Sequence, residues 1–224
     1  MRGSCAGKSE GAGGSRRPRA GVLGGTFNPV HEGHLAVARA ASALLDLDRL
    51  FFIPASFPPH KRPSGLASGE DRLAMLRLAA AGVPGWEALD LELARGGVSY
   101  SVDTVAALKK MLGEETELFL IIGADNLDGI SRWRRIEDLV RWCRFAVVTR
   151  PGFAPEPGGA DDREWARRIL AAGRGRLIEL SAPVSSTEVR AAASRGEPLE
   201  GLVPPAVAAY IEKRGLYREP ASKE

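Results

Sequence analysis

Cysteine, histidine and long apolar runs are the scarce features of this 224-residue chain. Its two cysteines, Cys5 and Cys143, supply neither a disulfide framework nor a metal-ligand spacing. Cys143 lies among apolar residues and reads as a small buried hydrophobe. That usage fits a reducing cytoplasm. No stretch approaches the roughly 20 apolar residues of a membrane span, and the first twenty residues lack the apolar segment of a secretory signal. They are Arg-containing and acid-poor, as transit peptides are, but their glycines spoil an amphipathic helix. They read as a disordered basic extension over residues 1–19. Charge of one sign is lacking too: 31 Lys and Arg stand against 28 Asp and Glu, a net +3. Residues 1–20 hold five of the basic side chains and one acidic one, so the rest of the chain sums to −1. A near-neutral body argues against a nucleic-acid or membrane surface as the partner.

What is present is globular composition, 44% hydrophobic and 26% charged, with enough length for one sizeable core. Strand-like and helix-like segments alternate along it. Apolar runs at Gly21–Gly25, Leu50–Ile53, Leu118–Ile122, Phe145–Val148 and Leu177–Leu180 read as strands. Leu89, Leu91 and Leu93 alternate with Asp90 and Glu92, which predicts a further strand over Ala88–Leu93 with its acidic side chains facing solvent. Helices are expected over His34–Leu45, Ser68–Ala81, Ser101–Leu112, Ile136–Trp142, Trp165–Leu170, Thr187–Ala193 and Pro205–Arg214. Strand-helix alternation of this kind implies the α/β class: a Rossmann-like parallel sheet flanked by helices, in a single domain over residues 20–218 with a flexible C-terminus at 219–224. In such sheets ligands sit beyond the carboxyl ends of the strands.

All three histidines fall in that position: His31 and His34 follow the first strand and His60 follows the second. Two imidazoles three residues apart share one helix face. At a helix start they lie beside free N–H groups and the positive end of the helix dipole, a place suited to phosphate. The preceding Gly24-Gly25-Thr26 turn lets backbone approach a nucleotide closely. A zinc site is poorly supplied, because no third ligand of the usual kind is nearby. Ser186 and Thr187 begin another helix, where hydroxyls and free N–H groups make either caps or a phosphate cradle. Arg190, three residues past Thr187, can offer bidentate donors to phosphate from the same face.

The segment Gly24-Gly25-Thr26-Phe27-Asn28-Pro29-Val30-His31-Glu32-Gly33-His34 resembles the signature of the His-x-Gly-His nucleotidyltransferase superfamily, and more narrowly the bacterial nicotinate-nucleotide adenylyltransferase family. That family usually has Asp where this chain has Asn28; the change removes a charge and keeps an acceptor. The resemblance spans about residues 20–217. It includes Pro58-Pro59-His60-Lys61, Gly69 through Leu76, Val98-Ser99-Tyr100-Ser101-Val102-Asp103-Thr104, Gly123-Ala124-Asp125 with Trp133, Ser185-Ser186-Thr187-Glu188-Val189-Arg190, and Pro204 through Tyr217. Val98 and Ser101 stand where the family has Pro and Thr.

The resemblance implies transfer of the adenylyl group of ATP to nicotinate mononucleotide. His31 and His34 would steady the α-phosphate, with His34 closest to the transferring group. Gly24, Gly25, Thr26, Lys61, Ser186, Thr187 and Arg190 would bind ATP and its phosphates. Asp125 would bind substrate, Trp133 would pack on the nicotinate ring and Ser101 would lie near its carboxylate. Mg²⁺ is expected with ATP, held by phosphates and water rather than by a protein metal site. ATP and nicotinate mononucleotide are the implied partners, with neither nucleic acid nor membrane; a homo-oligomer is left open. Two rivals remain: a pantetheine-phosphate or nicotinamide-mononucleotide adenylyltransferase, and a non-catalytic nucleotide- or nucleic-acid-binding module.

Overall fold

A computed structural model describes residues 16–56, 65–171, 175–181 and 184–218. Six strands form one parallel sheet in the order β3-β2-β1-β4-β5-β6. They are β1 Arg19–Gly25, β2 Arg49–Pro54, β3 Trp86–Ala88, β4 Glu117–Gly123, β5 Arg144–Thr149 and β6 Gly175–Glu179. The helices between and after them are α1 Glu32–Leu44, α2 Gly69–Ala80, α3 Leu91–Arg95, α4 Ser101–Leu112, α5 Ile136–Trp142, α6 Ala160–Leu170, α7 Ser186–Ser194 and α8 Pro205–Arg214. The strand order reverses between β1 and β4, which puts the ligand crevice beyond the carboxyl ends of those two strands.

Both faces of the sheet are covered, and the central strands divide their side chains between them. Leu23, Phe52, Phe119 and Ile121 join the core under α1, α2, α7 and α8. Val22, Phe51, Ile53, Leu118, Leu120 and Ile122 join the opposite core with α4, α5 and α6. That explains the unbroken apolar runs: a strand buried on both sides has no polar alternation. Ser68 caps α2 by accepting the Asp71 N–H at 3.0 Å. The Asp71 carboxylate accepts the Ser68 hydroxyl at 2.7 Å instead of reaching back to the Ser68 main chain, as its shorter side chain dictates.

Two expectations need correction. The strand expected over Ala88–Leu93 stops at Ala88, and Leu91–Arg95 is a short helix. β3 is an edge strand with three paired residues; the Leu89 N–H still donates to the Phe52 carbonyl at 3.0 Å, and the chain then turns into the helix. Glu92 then turns inward: it is buried and its carboxylate accepts the Thr104 hydroxyl. The second correction concerns the N-terminal boundary. β1 starts at Arg19, and the Arg16 guanidinium binds both carboxylate oxygens of Asp48 at 2.7 and 2.9 Å. Arg19 binds Glu117 at 3.0 Å. Residues 16–19 are therefore part of the folded body, and much of the basic excess read into the tail has acidic partners there. Residues 1–15 and 219–224 lie outside the described residues.

Candidate active site

β1 delivers the chain to the crevice, and the turn after it leads into α1 with His31 at the N-cap position. The His31 and His34 rings lie 3.8 Å apart between centroids, tilted by 33°. The His31 main-chain N–H donates to His34 Nδ1 at 3.3 Å. An accepting Nδ1 leaves the single hydrogen of the neutral His34 ring on Nε2. Burial lowers the His34 pKa to about 3, helped by the neighbouring His31. Burial also lowers His31 to about 4, against the opposing pull of Glu188 and Glu32. Both rings are neutral donors at pH 7. His31 Nδ1 is buried with no hydrogen-bond partner among the described residues.

Gly33 is required by close approach. A Cβ there would meet the Val184 carbonyl at 2.8 Å and the His31 ring at 3.0 Å. The segment leading into α7 thus presses directly on the start of α1. The same docking is secured from α7 itself. Ser186 Oγ donates to the Pro29 carbonyl at 3.0 Å, and Arg190 donates to the Asn28 carbonyl at 2.8 Å. From the other side Arg72, almost fully buried, donates to the Thr26 carbonyl at 2.8 Å and to the Ala67 carbonyl at 3.2 Å. Asn28 is a junction. Its side-chain oxygen accepts from the Ala67 N–H and the Tyr217 hydroxyl, and its amide nitrogen donates to the Gly65 carbonyl at 3.1 Å.

These contacts bring His31, His34, Thr187 and Arg190 to one place. Capping of α7 falls to Ser185, which accepts the Glu188 N–H at 3.2 Å, so Ser186 and Thr187 are the first helical residues and their N–H groups precede the first intrahelical bond. The Ser186 hydroxyl hydrogen is spent on Pro29, so a phosphate there would meet its N–H rather than its Oγ. Arg190 also reaches Thr187 Oγ1 at 3.3 Å, which sets the guanidinium and the hydroxyl side by side. Lys61 and His60 lie outside the described residues.

Two cavities open on the crevice and meet at Gly123. The first, about 470 Å³, is lined by Gly24, Gly25, Thr26, Tyr100, Ser101 and Trp133. The N–H groups of Ser101 and Val102 lie ahead of the first intrahelical bond of α4, which the Asp103 N–H makes to Tyr100. Arg132 and Arg134 also face this cavity, Arg134 with its guanidinium 4.8 Å from the Tyr100 ring centre. The second, about 660 Å³, holds Asp125. Structure therefore groups Ser101 and Trp133 with the glycine turn and sets Asp125 next door.

Several residues of the site escaped sequence reading. Arg72, Asn28 and Tyr217 act on backbone groups distant in sequence, and nothing in their local pattern announces it. Asp162 is buried and accepts the Gly129 and Ser131 N–H groups at 2.8 and 2.9 Å, which fixes the segment carrying Trp133. Glu92 could have been found through Thr104, the last residue of the Val98–Thr104 motif and its partner.

Comparison with known proteins bears on the family and the fold. The Cytidylyltransferase-like family model matches residues 22–192. A probable nicotinate-nucleotide adenylyltransferase of Dehalococcoides mccartyi is 41% identical over 203 residues, covering 89% of this chain and 97% of that protein. The chain belongs to the nicotinate-nucleotide adenylyltransferase family. Another member, from Gloeobacter violaceus, is 40% identical over 206 residues and covers 91% of this chain and 98% of its own. The fold is shared with a solved structure, Plasmodium falciparum nicotinic acid mononucleotide adenylyltransferase complexed with NaAD, at a TM-score of 0.69 and 19% identity over 89% of this chain and 97% of that one.

Two outcomes are expected. Gly33→Ala should push the α7 segment off α1, lowering kcat/KM at least tenfold and costing about 1–3 kcal/mol of stability in denaturant unfolding. Retention of both would remove the close approach from the site's design. The histidines also link stability to pH. Unfolded histidine takes a proton near 6.5, whereas the folded rings resist until about 4 and about 3. Their contribution is complete above pH 6.5 and is lost as pH falls from there towards 3. His34→Gln should flatten the fall in unfolding midpoint between pH 7 and 5; an unchanged slope would contradict a neutral, buried His34.

Proposed function

We propose that this chain transfers the adenylyl group of ATP to nicotinate mononucleotide, forming nicotinate adenine dinucleotide and pyrophosphate in NAD biosynthesis. The observation that carries the reading is the docking of the first turn of α7 on the histidine turn, which sets Thr187 and Arg190 beside His31 and His34. A 5′-phosphate oxygen of the mononucleotide attacks the α-phosphorus of ATP in line. The new P–O bond forms as the bond from the α-phosphorus to the α,β-bridging oxygen breaks, and pyrophosphate leaves with that electron pair. No protein nucleophile is needed; positioning and stabilisation of charge supply the catalysis.

His34 donates through Nε2 to the α-phosphate oxygens, where negative charge gathers in the transition state, and His31 supports it. Thr187, Arg190, the N–H groups at the start of α7 and Lys61 hold the β- and γ-phosphates as they become the leaving group. Gly24, Gly25 and Thr26 allow the nucleotides to lie close to the backbone. Trp133 packs on the nicotinate ring, and the start of α4 at Ser101 receives its carboxylate, with Arg132 and Arg134 favouring an anion over an uncharged amide. Mg²⁺ accompanies ATP. Phosphate oxygens and water suit it as ligands, since Mg²⁺ keeps several waters and commonly binds through substrate phosphates. When bound, it neutralises phosphate charge. Among the described residues no helix is long and apolar enough to cross a membrane, and a reducing cytoplasm suits the free, buried Cys143.

A panel assay with ATP and nicotinate mononucleotide, nicotinamide mononucleotide or phosphopantetheine, read by pyrophosphate release, tests the reading. Fastest turnover is expected with the nicotinate substrate, and its absence would defeat the assignment. His34→Ala should lower kcat about 100-fold or more with the fold retained by circular dichroism. Near-normal turnover would take His34 out of the mechanism.

A further inference from the structure

One carboxylate in the first cavity has no task in the reaction described so far. Glu92 is 7% exposed and lies in the wall of that cavity with Ser101, Trp133 and Arg134. The short helix α3 puts it there. Leu91 packs into the core beneath α4 and Leu93 into the core on the other face of the sheet, which fixes how α3 sits. The Gly96 N–H closes the helix on the Glu92 carbonyl at 3.0 Å, and Gly96 and Gly97, at φ +69° and +68°, turn the chain back towards α4. The carboxylate accepts the Thr104 hydroxyl through Oε1 at 2.5 Å. Thr104 Oγ1 also accepts from Arg95 at 3.4 Å, and among the described residues Glu92 itself forms no ion pair. Thr104 needs an acceptor and not a charge, and a glutamine amide would serve it at a smaller desolvation cost. A buried carboxylate without a cation is expensive to keep unless a ligand brings the cation.

The acceptor in the proposed reaction brings one. The bond from ribose to the ring nitrogen makes the pyridine a quaternary cation at every pH. Nicotinate mononucleotide therefore presents a negative carboxylate and a positive ring to the same cavity. The start of α4 and the two arginines answer the carboxylate. Glu92 is the one acidic side chain among the described residues that line this cavity.

We propose that Glu92 is the counter-charge to the pyridinium ring of the mononucleotide, so that the cavity selects a charged ring over a neutral aromatic ring of the same shape. This rests on the acceptor being a pyridine mononucleotide. It holds for the amide form as well, whose ring bears the same charge.

Calorimetric titration of the full chain with nicotinate mononucleotide, and separately with its 3-carboxyphenyl C-riboside 5′-phosphate analogue, tests the proposal. The analogue keeps ribose, phosphate and carboxylate and has carbon in place of the ring nitrogen. The parent should bind the mononucleotide about tenfold more tightly than the analogue. The faces of Trp133 and Tyr100 also attract a cation, so the ratio is measured in the variant too. Glu92→Gln, which keeps an oxygen for Thr104, should weaken the mononucleotide about tenfold and leave the analogue within about twofold of its parent affinity. Equal parent affinities for the two ligands would overturn the counter-charge. So would a Glu92→Gln protein that keeps the parent's preference, because the ring faces alone would then account for it. An equal loss of both ligands would make Glu92 part of the framework of α4 and overturn the proposal likewise. A parent that binds nicotinamide mononucleotide and not the nicotinate compound would defeat the acid acceptor proposed above. The same comparison, run with the amide and its neutral-ring analogue, then decides Glu92 separately.

Discussion

Three backbone carbonyls in the turn after β1 organise the molecule. Those of Thr26, Asn28 and Pro29 accept from Arg72, Arg190 and Ser186, which come from α2 and α7. Phe27 sits between them at φ +47°, a conformation that an L side chain adopts only when its surroundings impose it. Unpaired, carbonyls buried this way would each carry a desolvation cost. Paired, they convert a locally strained turn into the point where both ends of the chain's motif set come together. Those three bonds fix the histidine turn against the start of α7 on one side and against α2 on the other.

Neutrality is the second theme of the site. Burial keeps both imidazoles uncharged near pH 7, so the protein approaches a polyanion with oriented donors and helix ends rather than a concentrated block of cations. Fixed dipoles need little reorganisation as charge moves from the α-phosphate to the leaving pyrophosphate. They also hold the departing product less tenaciously than paired cations would. Arg190 divides its guanidinium between the Asn28 carbonyl and Thr187. It thereby acts as a structural tie between α7 and the histidine turn.

Sequence carried the alternation of strands and helices well, because doubly buried strands are continuous apolar runs and the α4, α5 and α8 bounds carry clear punctuation. It failed at Leu89–Leu93, where period-two alternation described a short helix whose Glu92 is buried. Periodicity over five residues cannot separate those states; what distinguishes them here is the long-range bond that draws Glu92 inward to Thr104. Motif residues were visible as motifs, yet their division of labour was not. Ser186 looks like a phosphate hydroxyl in the sequence and spends that hydroxyl on Pro29 in the fold. Arg72 looks like an ordinary helical arginine and is buried against two carbonyls. Long-range bonds to backbone leave no local signature, and they are what assembles the site.

The segment from α8 to Tyr217 bears on when the protein can work. Tyr217 donates to Asn28 at 2.9 Å, and Tyr210 and Arg214 of α8 both reach Asp71 next to Arg72. A ribosome synthesises these three residues after every strand of the sheet. Until then, the Asn28 junction lacks one of its partners and α2 lacks its anchor. Assembly of the crevice is thereby tied to the synthesis of α8 and Tyr217, and a chain broken off before α8 carries the histidine signature without these contacts.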